Sequence, residues 1–403
     1  MPSIHETAYP RFKSNLNTNE LKIYYTPIPQ ELEFAAEKTN NFTERFKLLV
    51  MFKTFQHLGR FIPVKHIPTA IVQNIADNLE LREIPKSFAT YDKSGAKTRH
   101  ANIIRKYLAI VPFEPEGRKY MHDIAFNAAK TKNDLADIIN IILEELVKRH
   151  FELPGFSTLV KTARAARSRI NNNYFKLTYA KLKSNPKALK QINSLLKRDK
   201  SRSYSLWYAM KQEPKKPTVK NTKEFIKHLQ WLEQLATALP NIQYIPTAKR
   251  QYMVDEAIAQ DIKDMHDLKL EKRFTLATVL LKTVIAKARD DIAEMFIKLT
   301  NNLHKSAQKA LKNYKEKQNE KTDSLIIVLH DVMSAYQAKG TKAERFEAIF
   351  KVVKDDPESI MQQCDEYIAY TSNNYLPFML SCYIGKRAVL FDCINTINLY
   401  NIT

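Results

Sequence analysis

Few residues in this chain have the types and spacing that catalysis needs. Asp264-Met265-His266-Asp267 is its one local cluster of His and Asp. On a helix those side chains point in different directions, which makes a surface patch and not a ligand set. Asp290, Asp291 and Glu294 form an acidic group that needs a third element to hold a divalent ion, and Lys287 and Arg289 beside them are expected to neutralise it. No phosphate-cradling glycine loop, GxSxG elbow or HExxH pair occurs, and the histidines are scattered. The expectation is a chain that is not an enzyme by itself, with no catalytic or metal residues and no cofactor of its own.

What remains is cationic. The net charge is +21, and its placement matters more than its size. Residues 1–154 carry 22 Lys and Arg against 18 Asp and Glu, and residues 221–403 carry 25 against 23. Residues 155–220 carry 17 against 2. Lys and Arg that displace counterions from phosphates drive nucleic-acid binding, with a salt slope of about −0.9 per contact on duplex DNA. A solvated basic face and an anionic membrane surface are the competing readings. The first normally mixes Glu among its lysines. The second needs large apolar residues to insert, and this segment has few.

The elements that must position these cations are helical. Only six glycines occur, which argues against hairpins and phosphate loops. Asn41 caps a helix that should run to a stop at Gly59, and Pro68 opens another through Ile71, Val72, Ile75 and Leu79. The pair resembles a helix-turn-helix in outline, with a longer joint. Gly95 starts a helix with Arg99 and Lys106 opposite Ile104 and Leu108. Segments from Gly117 to Lys130 and from Asn133 to His150 follow.

At Leu153-Pro154-Gly155-Phe156-Ser157 a new section begins, with Ser157 the expected N-cap of a helix to about Leu182. Leu159, Ala163, Ala166, Ile170, Tyr174 and Leu177 form its apolar stripe. Lys161, Arg164, Ser168 and Asn172 fall on another face, with Arg167 and Arg169 nearby, and the helix contains no carboxylate. Pro186 opens a helix expected to end in Lys197 to Arg202, and Pro214-Lys215-Lys216-Pro217 reads as a basic linker. Tyr204, Trp207 and Tyr208 could stack on bases but read as core. From Leu268 to Lys317 neither Gly nor Pro occurs, and apolar residues recur at helical steps from Leu270 to Leu311. A helix of that length, about 75 Å at 1.5 Å per residue, suits a spacer, a dimer seam or an element packed in a helical array.

The fold class expected is all-α: a multi-domain helical array with helix-turn-helix-like DNA-binding units followed by a long-helix domain. The divisions are residues 1–152 (N-terminal DNA-binding domain), 153–220 (basic segment and linker) and 221–403 (long-helix domain for dimerisation or scaffolding). Cys364, Cys382 and Cys393 form no CxxC pair and read as thiols of a reducing compartment. No apolar run is long enough to span a bilayer and the N-terminus is unlike a signal peptide, so the reading is cytoplasmic and nucleoid-associated.

Four stretches carry a resemblance to the N-terminal, non-catalytic region of Tn3-family replicative transposases. They are Arg45 to Leu79 around Phe55-Gln56-His57-Leu58-Gly59-Arg60-Phe61; Tyr91 to Ile110 with Thr98-Arg99-His100 and Ile104-Arg105; Leu153 to Leu159 leading into the Arg-rich helix; and Asn374-Tyr375-Leu376-Pro377 with Lys386 to Phe391. The resemblance implies recognition of transposon terminal inverted repeats and pairing of subunits by the later helices. It also implies a Mg-dependent Asp-Asp-Glu domain beyond residue 403, none of whose residues has a match here. The chain is therefore read as a shortened part of such a protein.

The function expected is sequence-specific binding of duplex DNA at transposon ends, with self-association or pairing with a full-length transposase, and no membrane or small-molecule substrate. The DNA-binding candidates are Lys97, Arg99, Arg105 and Lys106, then Lys161, Arg164, Arg167 and Arg169. Lys197, Arg198, Lys200, Arg202, Lys215 and Lys216 are the sequence-blind phosphate anchors. A truncated regulator of transposition and a general RNA or single-strand binder are the alternatives.

Overall fold

A computed structural model describes residues 3–13, 15–197, 205–353, 357–371 and 373–397. Among them the protein is all-α; the one β feature is an isolated parallel bridge between Val111 and Phe151. The first helices are α1 (Thr18–Glu20), α2 (Pro29–Glu37), α3 (Phe42–Leu58), α4 (Thr69–Asn78) and α5 (Gly95–Tyr107). Next come α6 (Arg118–Thr131), α7 (Leu135–Lys148), α8 (Phe156–Lys183), α9 (Pro186–Leu195) and α10 (Leu206–Met210). Then follow α11 (Val219–Ala236), α12 (Thr247–Ala259), α13 (Ile262–Asp267) and the long α14 (Leu270–Lys317). The last five are α15 (Asn319–Gln337), α16 (Lys342–Val353), α17 (Pro357–Thr371), α18 (Leu376–Ile384) and α19 (Arg387–Ile397).

Packing divides the chain into two units, and the division does not follow charge. Unit 1 comprises Met1–Ser184, Pro240–Gln260 and His266–Val279; unit 2 comprises Asn185–Leu239, Asp261–Met265 and Leu280–Thr403. The basic residues of 155–220 are thereby shared: α8 belongs to unit 1 and the rest to unit 2.

Unit 1 has two cores. The first gathers Phe46, Leu49, Phe52, Ile71, Ile75 and Ile104 from α3 to α5, with Tyr25 from the chain before α2 and Tyr91 from the chain before α5. The side chain of Asn41 accepts the Glu44 N–H at 2.9 Å to start α3, and Gly59 ends it in the left-handed region at φ 63°. Buried in this core, Lys53 pairs with Glu31 at 3.0 Å. The second core joins Met121, Ile139, Ile142, Leu146, Leu159 and Ile170 from α6, α7 and α8 with Tyr9 of the N-terminal segment.

Two local readings of α8 are corrected. Its N-cap is Gly155, not Ser157: the preceding Leu153 is pinned by its N–H to the Gly59 carbonyl at 2.8 Å, and the helix starts as soon as the chain leaves that anchor. Its buried stripe does not continue through Leu177, which is exposed, but shifts to Phe175, Thr178 and Leu182. The second half of α8 meets different neighbours: the Phe175 carbonyl accepts from Thr275 Oγ1 of α14, and Thr178 shares a hydrogen bond with Tyr244. From Phe274 to Val279 every residue of α14 is buried; the Thr275 and Thr278 hydroxyls are satisfied by carbonyls of their own helix.

In unit 2 the remaining stripe of α14, from Leu281 through Ala288, Ile292, Leu299, Leu303 and Ala307 to Leu311, is buried within the chain itself. That is the packed-array outcome for these residues. Lys287 and Arg289 pair first with Glu213 and Glu233, not with their acidic neighbours on α14. Val389, Leu390 and Cys393 of α19 are buried, and α19 packs on α11. By contrast α15 to α18 leave Ile326, Ile327, Leu329, Phe346, Phe350 and Leu380 exposed. No helix among the described residues is long and apolar enough to cross a membrane.

Candidate nucleic-acid interface

The outer face of α8 is cationic because its sequence supplies Lys and Arg along most of its length and no acid. Lys161, Arg164 and Arg169 are exposed there, and so are Lys176, Lys181 and Lys183 further along. Two of these cations are steadied by aromatic rings: Arg169 lies 5.3 Å from the Phe126 ring centre and Lys181 lies 3.8 Å from that of Tyr244. Arg167 is turned inward, donating to the Asn133 carbonyl at 3.3 Å.

Arg167 marks a buried polar knot beneath this face. Asn133 Oδ1 accepts from Lys249 Nζ at 3.0 Å and from Asn171 Nδ2 at 3.2 Å. Burial of the Lys249 amine, with the Arg167 charge beside it, holds its pKa down at about 8.

On α5, Arg99 and Lys106 are exposed on the face away from Ile104. Lys97 and Arg105 are less available. Lys97 is half-buried and paired with Asp92 at 2.5 Å. Arg105 is paired with Glu152 at 2.9 Å, bonded to Asn102, and lies over the Phe61 ring. A phosphate reaching either would first compete with a carboxylate.

Sequence stretches far apart meet at this point. Gly59 lies against Leu153, and Arg60 and Phe61 line one cleft with Arg105, Glu152, Leu153, Pro154 and Gly155. Tyr9 OH donates to the Pro154 carbonyl at 2.8 Å, and Arg60 sits over the Tyr9 ring at 5.2 Å. The Gly59 and Leu153 stretches are thus one structural joint between the two cores of unit 1.

The remaining candidates lie in unit 2 or outside the described residues. α9 ends at Leu195, short of the expected basic end, because Leu196 already leaves the helix; Lys197 beyond it is exposed. Arg198, Lys200, Arg202 and the aromatic Tyr204 fall outside the described residues. Lys215 and Lys216 are exposed in the segment between Pro214 and Pro217, in a cleft they share with Glu213, Asp291 and Glu294. Trp207 is buried, as a core residue should be, whereas Tyr208 is 55% exposed.

Sequence reasoning passed over Arg11, Arg60 and Lys249. Arg60 follows a helix-ending glycine, where a cation is unremarkable. Lys249 sits in a polar run whose burial comes wholly from partners distant in sequence.

Residues 1–166 match the family model described as "Domain of unknown function (DUF4158)". That span takes in the first core of unit 1 and the second except Ile170, and ends within the first half of α8. No curated protein matches the chain.

Proposed function

We propose that this chain binds duplex DNA in a sequence-specific way as the end-recognition part of a transposase. The observation that carries the reading is α8: a helix of 28 residues without a carboxylate whose exposed side presents Lys161, Arg164 and Arg169. Such a face tracks a phosphate backbone, and base edges are read by a helix set in the major groove. Arg99 and Lys106 on α5, together with the helix-turn-helix-like pair α3 and α4, are the elements proposed for that contact. Lys197, Lys215 and Lys216 act as sequence-blind anchors on unit 2.

The match over residues 1–166 supports this reading, since DUF4158 is a domain found in Tn3-family transposases. The exposed apolar side chains of α15 to α18 support pairing with a second subunit, because exposed apolar surface marks interaction sites. The catalytic step belongs to a different part of such a protein, where Mg would act.

The test is a binding titration of the chain with the inverted-repeat duplex flanking its gene and with a scrambled duplex, each at two salt concentrations. Tighter binding to the repeat, with both affinities falling steeply in salt, is expected. Equal affinity for the two duplexes overturns the specific reading, and tighter binding to structured RNA moves the function to RNA.

A further inference from the structure

We propose that the cleft between the N-terminal segment and the chain just after α3 is a binding site for one phosphate group. This cleft of unit 1, about 440 Å³, is distinct from the α8 face. Arg11, Arg60 and His66 form its rim; Phe12, Leu58 and Ile62 form its floor.

Three observations carry the assignment. First, no carboxylate lines the cleft, and among the described residues none of its three basic side chains is ion-paired with an acid. The cleft on the other side of Arg60 is the internal control: there Arg105 is neutralised by Glu152, and Glu114 adds a second acid. Two arginines without counter-ions around one open space attract an anion, and the guanidinium fork matches the tetrahedral oxygens of phosphate.

Second, Arg60 is placed before any ligand arrives. Its guanidinium rests over the Tyr9 ring at 5.2 Å, and Tyr9 is itself tied to the Pro154 carbonyl at 2.8 Å. The buried Arg60 Nε has no hydrogen-bond partner among the described residues, so its desolvation is uncompensated until an oxyanion comes close. Arg11 faces it across the cleft, exposed and beside His5.

Third, the floor is apolar. Leu58 and Ile62 are buried, and the Phe12 ring stacks parallel on His57 at 6.1 Å. A bare hydrated anion gains nothing from such a floor. A phosphate carried on a sugar or a base gains by covering it. The ligand class is therefore a nucleotide phosphate, either within a DNA strand or on a free mononucleotide.

This inference does not rest on the α8 reading, because phosphate binding here would survive a failure of duplex recognition. The experiment is calorimetric titration of the full chain, at low ionic strength, with inorganic phosphate and with deoxyadenosine 5′-monophosphate. Saturable binding is expected, tighter for the nucleotide. Arg60→Gln should weaken it at least tenfold, and so should the double variant Arg11→Gln, His66→Gln, whose substituted side chains are exposed and leave the cores untouched. Absence of saturable binding by the unaltered chain overturns the proposal, as does unchanged affinity in the double variant. The source of the phosphate is then read from duplex titrations of the same variants. A salt slope shallower by about 0.9 for each cation removed assigns the site to a DNA backbone phosphate; an unchanged slope assigns it to a free nucleotide.

Discussion

Lys249 Nζ donates to Asn133 Oδ1 at 3.0 Å across 116 residues of sequence, and both side chains are buried in unit 1. The bond ties α12 to the turn before α7, and the same Asn133 oxygen also holds Asn171 of α8. The basic helix is therefore seated on a polar knot that contains an amine of its own.

That amine makes stability depend on pH. Burial lowers the folded pKa from 10.5 to about 8, so between those values the unfolded chain binds the proton and the folded chain does not. Stability contributed by this site rises as pH climbs from about 8 to 10.5. Lys249→Met removes the effect. Urea midpoints at pH 7.5 and pH 10 should show the two proteins diverging at the higher pH in favour of the lysine form; a constant difference between them refutes it.

His100 behaves similarly in the acid range. Burial holds its pKa below the usual 6.5, against an opposing pull from Glu44 3.5 Å away, while Tyr91 OH is bonded to its Nδ1 at 2.7 Å. As pH falls below about 6.5 the unfolded chain takes up the proton first, and stability is lost until the folded imidazole is protonated too. His100→Gln should flatten the dependence of the urea midpoint between pH 7 and pH 5, even if the variant is less stable at pH 7.

Glu31 is buried and is held by the buried Lys53, by Gln56 and by the N–H of Ile28. Glu31→Ala leaves Lys53 buried without its counter-ion and should cost about 3–5 kcal/mol. Replacing both residues by Met should recover most of that loss, because two apolar chains satisfy each other. Denaturant unfolding of the unaltered chain and of the two variants measures both changes.

Gly59 and Gly155 give a matched pair. Gly59 has φ 63°, and an added Cβ would sit 3.0 Å from Leu153 Cδ1. Gly155 has nothing within 4 Å and an extended conformation that alanine adopts. Gly59→Ala should destabilise unit 1 by about 1–3 kcal/mol, while Gly155→Ala should change the melting temperature little. Equal effects would show that the Gly59–Leu153 joint carries no strain.

The α8 face predicts a salt dependence. Removing Lys161, Arg164 and Arg169 together by substitution with Gln should make the slope of log affinity against log salt shallower by up to about 2.7 on duplex DNA. The same substitutions on Lys197, Lys215 and Lys216 should weaken repeat and scrambled duplexes alike. Gel-shift titrations over a range of salt measure both.

Much of the local structure was legible in the residues. Asn41 and Gly59 bracket α3, Gly95 opens α5, and the absence of Gly and Pro from Leu268 to Lys317 is realised as the single helix α14. These are short-range effects: caps satisfy orphan N–H groups next door, and periodicity reports a face along one helix. The carboxylate-free composition of α8 was likewise plain.

The partners of each face were not legible, because they come from residues far along the chain. Nothing local marks Leu177 as exposed and Phe175 as buried; the shift follows from α14 crossing that end of α8. Nothing near Arg105 separates it from Arg99 and Lys106 as a cation; for Lys97 the partner is close in sequence, but the turn that brings it round is not read from the residues alone. Lys97 was tied down by Asp92 through the turn before α5, and Arg105 by Glu152 after a full 47 residues. Charge and helix content were thus fixed by composition and nearest-neighbour chemistry. Which cations remain free for a partner was decided by tertiary packing, since an ion pair needs only proximity in space and a buried amine only distant atoms to exclude water.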